Sequence, residues 1–205
     1  MHPASKPPAD TTTAPRRTET TGLVLAGGAG RRVQGRDKGL ILWRGEPLVA
    51  YAAGSLRPLV RELLISCNRH PDRYAPMADR VVADDRAGYQ GPLAGLEAAR
   101  DLIATPLLLV APCDMPGVPA VVFEQLLKTL TAPQGARRDA VFLHSGGRDY
   151  YLCLAMRSDA LAGLATYLDG GDRSVRGWLA TLDTQTVTVT LPDEQLRNIN
   201  ALPGD

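Results

Sequence analysis

The sequence predicts one α/β domain, an open and mainly parallel sheet with helices on both faces. Three observations carry this. From Gly22 onward, short apolar runs of strand length alternate with segments of helical period. One run, "PLLLVAP" at 106–112, is apolar without a break, the pattern of a strand buried on both faces. The 205 residues suit a single well-buried core, and no linker or internal repeat divides them.

The elements follow in order. Residues 1–20 are rich in Pro and Thr, lack apolar periodicity and read as a disordered tail; 21–205 read as the domain. "GLVLA" (22–26) is the first strand. "EPLVAYAAGSLRPL" (46–59) is a helix, with Pro47 near its start and Pro58 near its end. "RELLISC" (61–67) and "DRVVAD" (79–84) are strands. "GPLAGLEAARDLIAT" (91–105) is a helix with Pro92 at its first position, 106–112 is the central strand, and "PAVVFEQLLKTLT" (119–131) is a helix.

The second half is less regular. Residues 139–145 and 149–157 flank Gly146-Gly147 and read as two paired strands. Residues 158–170 read as a helix capped by Ser158 and ended by Gly170-Gly171. A shorter helix covers 173–182, and 184–191 alternates like a half-exposed strand.

Bulk properties narrow the function. A net charge of +1 gives no basis for a nucleic-acid face or an acidic membrane partner, so any anion site must be local. No apolar stretch is long enough to span a bilayer. Arg16-Arg17 before "LVLAGG" has the look of an export signal. The apolar stretch is short, however, and runs into Arg31-Arg32, so the cytoplasm is the expected compartment. Cys67, Cys113 and Cys153 lie in or beside apolar runs, form no CxxC and are odd in number, which points to buried free thiols.

Ligands of open α/β sheets bind beyond the carboxyl ends of the strands. After the first strand, Gly27, Gly28 and Gly30 let backbone N–H groups converge on phosphate oxygens, with Arg31, Arg32, Arg36 and Lys38 close behind. The spacing is neither a P-loop nor a dinucleotide fingerprint. After the second strand stands Asn68, able to read a base edge or a ribose or simply to cap a turn, then His70, which reads as a surface histidine. After the third come Asp84-Asp85 and glycines 88, 91 and 95, which suit close approach to a flat ligand or, more plainly, helix capping and turns. After the central strand comes Asp114, where the following segment, with Pro116 and Pro119, offers no cation. A carboxylate so placed suits a divalent cation beside a bound phosphate. Together these suit nucleotidyl transfer from a nucleoside triphosphate, and no Ser/His/Asp or Cys/His constellation competes.

The ordered set "LAGGAGRRVQGRDKGL", "WRGEPL", "CNRH", "YQGPLAGL", "APCDMP", "GGDRSVRGWL" and "NIN" resembles the molybdenum cofactor guanylyltransferases, from Gly22 to about Pro203. The resemblance implies a three-layer α/β/α Rossmann-like sheet of the nucleotide-diphospho-sugar transferase type. It implies Mg²⁺-dependent transfer of GMP from GTP to the terminal phosphate of molybdopterin or molybdenum-molybdopterin, with release of pyrophosphate. By the same resemblance, Leu25, Ala26 and Gly27 contact the nucleotide through the backbone, and Gly28, Gly30 and Arg32 complete the loop. Lys38 neutralises the triphosphate, Asn68 and Asp84 hold the nucleoside, the turn at Gly91 lies against the base, and Asp114 binds Mg²⁺. Arg173, Asn198 and Asn200 fall on the pterin side. The nucleotide half would span about 21–118 and the pterin half about 119–205. Transient partners would be other cofactor-biosynthesis proteins and the receiving molybdoenzyme, with no nucleic acid and no membrane. Two departures stand out: Tyr150-Tyr151 where the family commonly carries His-Pro, and Val33 where Met is usual. The alternatives are cytidylyl transfer to the same pterin and a non-catalytic carrier of the finished cofactor.

Overall fold

A computed structural model describes residues 17–27, 37–88, 90–133 and 137–199. Seven strands form one sheet in the order β5-β4-β1-β6-β8-β7-β9. β1 (Thr20–Leu25) pairs in parallel with β4 (Glu62–Ser66) on one side and β6 (Leu107–Pro112) on the other, and β5 (Arg80–Val82) adds in parallel to β4. β7 (Ala140–Ser145) and β9 (Thr184–Thr188) run parallel to each other, while β8 (Arg148–Arg157) is antiparallel to both β6 and β7. The central position expected for 106–112 holds.

The apolar run of β6 has a direct cause. Leu107, Leu109 and Ala111 enter one core, and Leu108 and Val110 enter the other. The first core lies under α1 (Leu48–Leu56) and α4 (Ala120–Leu130), with Phe123 and the fully buried Tyr74 of the short α2 (Pro71–Tyr74). The second lies under α3 (Pro92–Ala99), α5 (Leu164–Asp169) and α6 (Val175–Leu179), around Trp178. Three layers result, as expected. Among the described residues no helix is long and apolar enough to cross a membrane.

Several expectations need correction. Arg17–Glu19 forms a 3₁₀ turn, the Arg17 guanidinium donates to the Val60 carbonyl at 2.7 Å, and Thr20 is already buried in β1, so the expected tail is too long by these residues. Residues 1–16 lie outside the described residues. Ser158 caps no α-helix. Its N–H bonds to the Pro106 carbonyl, Ser158–Gly163 winds as 3₁₀, and the α-helix begins only at Leu164. The capping serine of this region is Ser174, whose hydroxyl accepts from Gly177 N–H at the start of α6. A small antiparallel pair, β2 (Leu42–Trp43) and β3 (Glu46–Pro47), escaped the sequence because neither strand exceeds two residues.

The hairpin at Gly146-Gly147 is as expected, with φ of 55° and 74°, which glycine adopts without strain. Beyond it the β7–β8 register steps from Leu143↔Tyr150 to Phe142↔Leu154. Tyr151, Leu152 and Cys153 therefore bulge, beside the carboxyl end of β6.

Candidate functional site

The carboxyl ends of β1, β4 and β6 open onto a cavity of about 190 Å³. Leu25, Ala26 and Gly27 line it at the exit of β1, and Ser66 lines it at the end of β4. Asp84 comes from beyond β5, Gly91, Pro92 and Gly95 from the start of α3, and Pro112, Cys113 and Asp114 from the exit of β6. Lys38 and the bulged Leu152 close the ring. Eight residues given a ligand-side reading in the sequence thus share one cavity: Leu25, Ala26, Gly27, Lys38, Asp84, Gly91, Gly95 and Asp114.

The cavity owes its shape to two glycines. Gly91 takes φ +84°, which turns the chain into Pro92 at the first position of α3. At Gly95 a Cβ would collide with the Ser66 hydroxyl and press on Leu25 Cδ2 at 3.1 Å, so α3 can approach the strand ends only because that atom is missing.

Lys38 Nζ donates to Asp114 Oδ2 at 2.7 Å, and each side chain is about one-fifth exposed (20% and 22%). The segment after β6 offers Asp114 no cation, as the sequence suggested, but a lysine far away in the chain does. The Asp114 carbonyl accepts from Ile199 N–H at 2.8 Å, which ties the loop to the distal segment. Gly117 lies against the Gln195 backbone, where a Cβ would sit 2.6 Å from Gln195 Cα.

Asn68 and Asp84 hold each other. The Asn68 amide donates to Asp84 Oδ2 at 2.7 Å and to the Gly27 carbonyl at 3.0 Å, and its Oδ1 accepts from Asp84 N–H at 2.8 Å. The acidic pair therefore does not cap α3. Asp84 Oδ1 is buried and makes no hydrogen bond among the described residues. Burial raises the Asp84 carboxyl above its ordinary value, against hydrogen bonds from Asn68 and Ser66 that favour the charge. The three cysteines are free and buried as expected, and burial pushes the Cys67 thiol to about 11 and those of Cys113 and Cys153 to about 12. They are no nucleophiles at neutral pH.

Among the described residues a second cavity, of about 510 Å³, is lined by Gly146, Arg148, Tyr150, Asp193, Leu196, Arg197 and Asn198. Asn198 immediately precedes the residue that holds Asp114. Arg173 lies elsewhere: its Nε donates to Gln90 at 2.5 Å and its Nη1 to the Leu168 carbonyl at 2.6 Å, beside the turn that leads into Gly91. Asn198 thus lines the second cavity, and Arg173 is not among the residues that line it. Gly28, Gly30, Arg31, Arg32, Arg36 and Asn200 lie outside the described residues.

Ser66, Leu152, Arg148 and Arg197 had no place among the expected site residues, and Tyr150 entered only as a departure from the family pattern. The strand end after "RELLIS" could have pointed to Ser66. Leu152 reaches the cavity only through the bulge, which leaves no mark on the sequence.

A family model described as "MobA-like NTP transferase domain" matches residues 22–187. The chain is 40% identical over 178 residues to a protein of Pseudomonas paraeruginosa named molybdenum cofactor guanylyltransferase, covering 87% of this chain and 88% of the relative. Its fold is similar to the crystal structure of molybdopterin-guanine dinucleotide biosynthesis protein A from Archaeoglobus fulgidus, with a TM-score of 0.66, 21% identity, and 86% and 95% of the two chains covered. A CMP:2-keto-3-deoxy-manno-octonic acid synthetase crystallised with CTP shares the fold at a TM-score of 0.62 and 12% identity, with 85% and 91% covered.

Proposed function

The chain belongs to the MobA-like NTP transferase family, and we propose that it transfers GMP from GTP to the terminal phosphate of molybdopterin, forming the guanine dinucleotide cofactor and pyrophosphate. The observation that carries this reading is the single cavity in which Leu25–Gly27, Asp84 and Gly91 stand beside the Lys38–Asp114 pair.

Each residue has a part that its position supports. The backbone of Leu25–Gly27 borders the nucleotide where β1 ends. The buried, unpartnered Asp84 Oδ1 suits a ligand edge rich in donors. Guanine offers a ring N–H beside an amino group, a match for one carboxylate that cytosine lacks. The relative named molybdenum cofactor guanylyltransferase favours guanine in the same way.

An acceptor phosphate oxygen attacks the α-phosphorus, a P–O bond forms, and the bond to the β-phosphate oxygen breaks with its electron pair leaving on pyrophosphate. Lys38 is the first residue of its 3₁₀ turn and lines the cavity, so it can exchange the Asp114 carboxylate for phosphate oxygens. The charge it meets grows as pyrophosphate departs.

The donor set at Asp114 bears on the metal. No group of three or more His, Cys, Asp or Glu capable of holding an ion occurs among the described residues. One hard carboxylate at the mouth fits a Mg²⁺ shared with the triphosphate, which is how Mg²⁺ is usually held. Asp114 would hold it, and the ion would supply neutralisation of phosphate charge.

The second cavity, with Arg148, Arg197, Tyr150 and Asn198, suits an acceptor that joins a flat ring system to a phosphate. Arg173, bonded to Gln90, stands beside the turn that leads into Gly91.

The test is pyrophosphate release with Mg²⁺ and molybdopterin, comparing GTP, CTP and ATP at equal concentration. Strong preference for GTP is the expected result. Preference for CTP would overturn the base assignment, and tight cofactor binding without release from any nucleotide would overturn the reaction.

A further inference from the structure

Lys38 does not stand on its turn unaided. The 3₁₀ turn Lys38–Leu40 begins after Asp37, whose side chain is only 9% exposed and makes no capping bond to the turn. The Asp37 carboxylate is spent elsewhere. Oδ1 accepts a short hydrogen bond from the Tyr74 hydroxyl, and Oδ2 lies 3.2 Å from His70 Nδ1.

Both partners are built for this contact. Tyr74 is the only buried residue of α2 and is fully buried. Burial, followed by the bond to Asp37 and its charge, holds the phenol far above its usual range, so it remains a donor. His70 sits at φ +49°, a conformation uncommon for any residue but glycine, and so the chain accepts strain where the ring meets Asp37. Gly39 completes the arrangement: a Cβ there would lie 2.6 Å from the Tyr74 hydroxyl oxygen and 3.1 Å from Ala26 Cβ. The turn is threaded between Tyr74 and the cavity wall.

We propose that Tyr74 and His70, acting through Asp37, are positioning residues that fix the Lys38 ammonium at the mouth of the nucleotide cavity. The inference rests on the nucleotidyl-transfer reading for its catalytic meaning and on geometry alone for the clamp. A bond that merely fastened α2 to the sheet could have used any surface carboxylate. This one uses the residue adjoining Lys38, in a nearly buried place where two donors are needed to hold the charge. Small displacements of a charge that acts on the transition state are costly in rate, up to about 10²-fold for about 1 Å.

The test uses the full chain and the Tyr74→Phe variant, which removes one oxygen atom. The first readout needs no turnover: the rate at which acetic anhydride acylates Lys38, followed by peptide mass spectrometry. The clamp predicts labelling about threefold faster or more in Tyr74→Phe, since the ammonium leaves Asp114 more often. The second readout is pyrophosphate release. Here kcat falls about tenfold, KM for GTP changes less than about threefold, and Asp37→Asn, which keeps an acceptor for Tyr74, retains more kcat than Asp37→Ala. Unchanged labelling with unchanged kcat, whatever the loss in Tm, would overturn the clamp and leave a structural bond. Faster labelling in a chain whose unaltered form releases no pyrophosphate would uphold the clamp and overturn the nucleotidyl-transfer reading.

Discussion

The two cavities are made in opposite ways. The one at the ends of β1, β4 and β6 is bounded largely by backbone and small residues: Ala26, Gly27, Gly91, Gly95 and the exit of β6. The one beside the β7–β8 hairpin is bounded largely by polar side chains, those of Arg148, Tyr150, Asp193, Arg197 and Asn198. A parallel sheet delivers every strand end to one edge, so backbone alone can build a site there. A hairpin and a terminal segment have no such common edge, and side chains must fill the role. The first site gains rigidity from the sheet, and the second is easier to alter by substitution.

That contrast can be broken at three points. Asp114→Ala should have the largest effect, lowering kcat for pyrophosphate release at least about 10³-fold while Tm moves by no more than about 3 °C. Parallel stopped assays and circular-dichroism melts would check it, and near-normal Mg²⁺-dependent turnover would remove Asp114 from the chemistry. Arg148→Ala should act on the other cavity alone, raising KM for the pterin acceptor about tenfold and leaving KM for GTP unchanged. A rise in KM for GTP would mean that the two cavities are not separate sites.

The smallest effect concerns stability. Burial raises the folded-state pKa of Asp84, so the native chain binds a proton more readily than the unfolded one. That contribution to stability is fully present below the unfolded carboxyl range and is lost as pH rises through the folded value. Asp84→Asn should therefore melt about 1–3 °C higher than the parent at pH 7, and the gap should close towards pH 3. A lower Tm at pH 7 would show that the charge is fully compensated. The same substitution should weaken GTP binding, which would set stability against function at one atom.

The contrast also explains what could be read in advance. Strand ends and helix starts announce themselves by glycine and proline, as at Gly27, Gly91 and "PCDMP", so most of the lining of the cavity at the strand ends was legible. The pairing of Lys38 with Asp114 was not, because no local pattern links residues so far apart in the chain. Leu152 was hidden by a bulge that needs no special residue. Ser158 misled because Ser before an apolar run is a cap only if an α-helix begins there, and here the chain winds as 3₁₀ first. Tyr74 carried no signal in the sequence, and its hydroxyl found Asp37 only through the fold.

The bond from Ile199 N–H to the Asp114 carbonyl has a consequence in time. It closes a very long loop of chain, a contact whose entropy cost delays it relative to the local ones. During synthesis the parallel strands and their helices can assemble while Asp114 still lacks this anchor. A chain that has not yet brought residues 195–199 back across the β6 exit holds a finished sheet and an unfinished cavity edge. Competence should arrive late and all at once, when residues 195–199 dock.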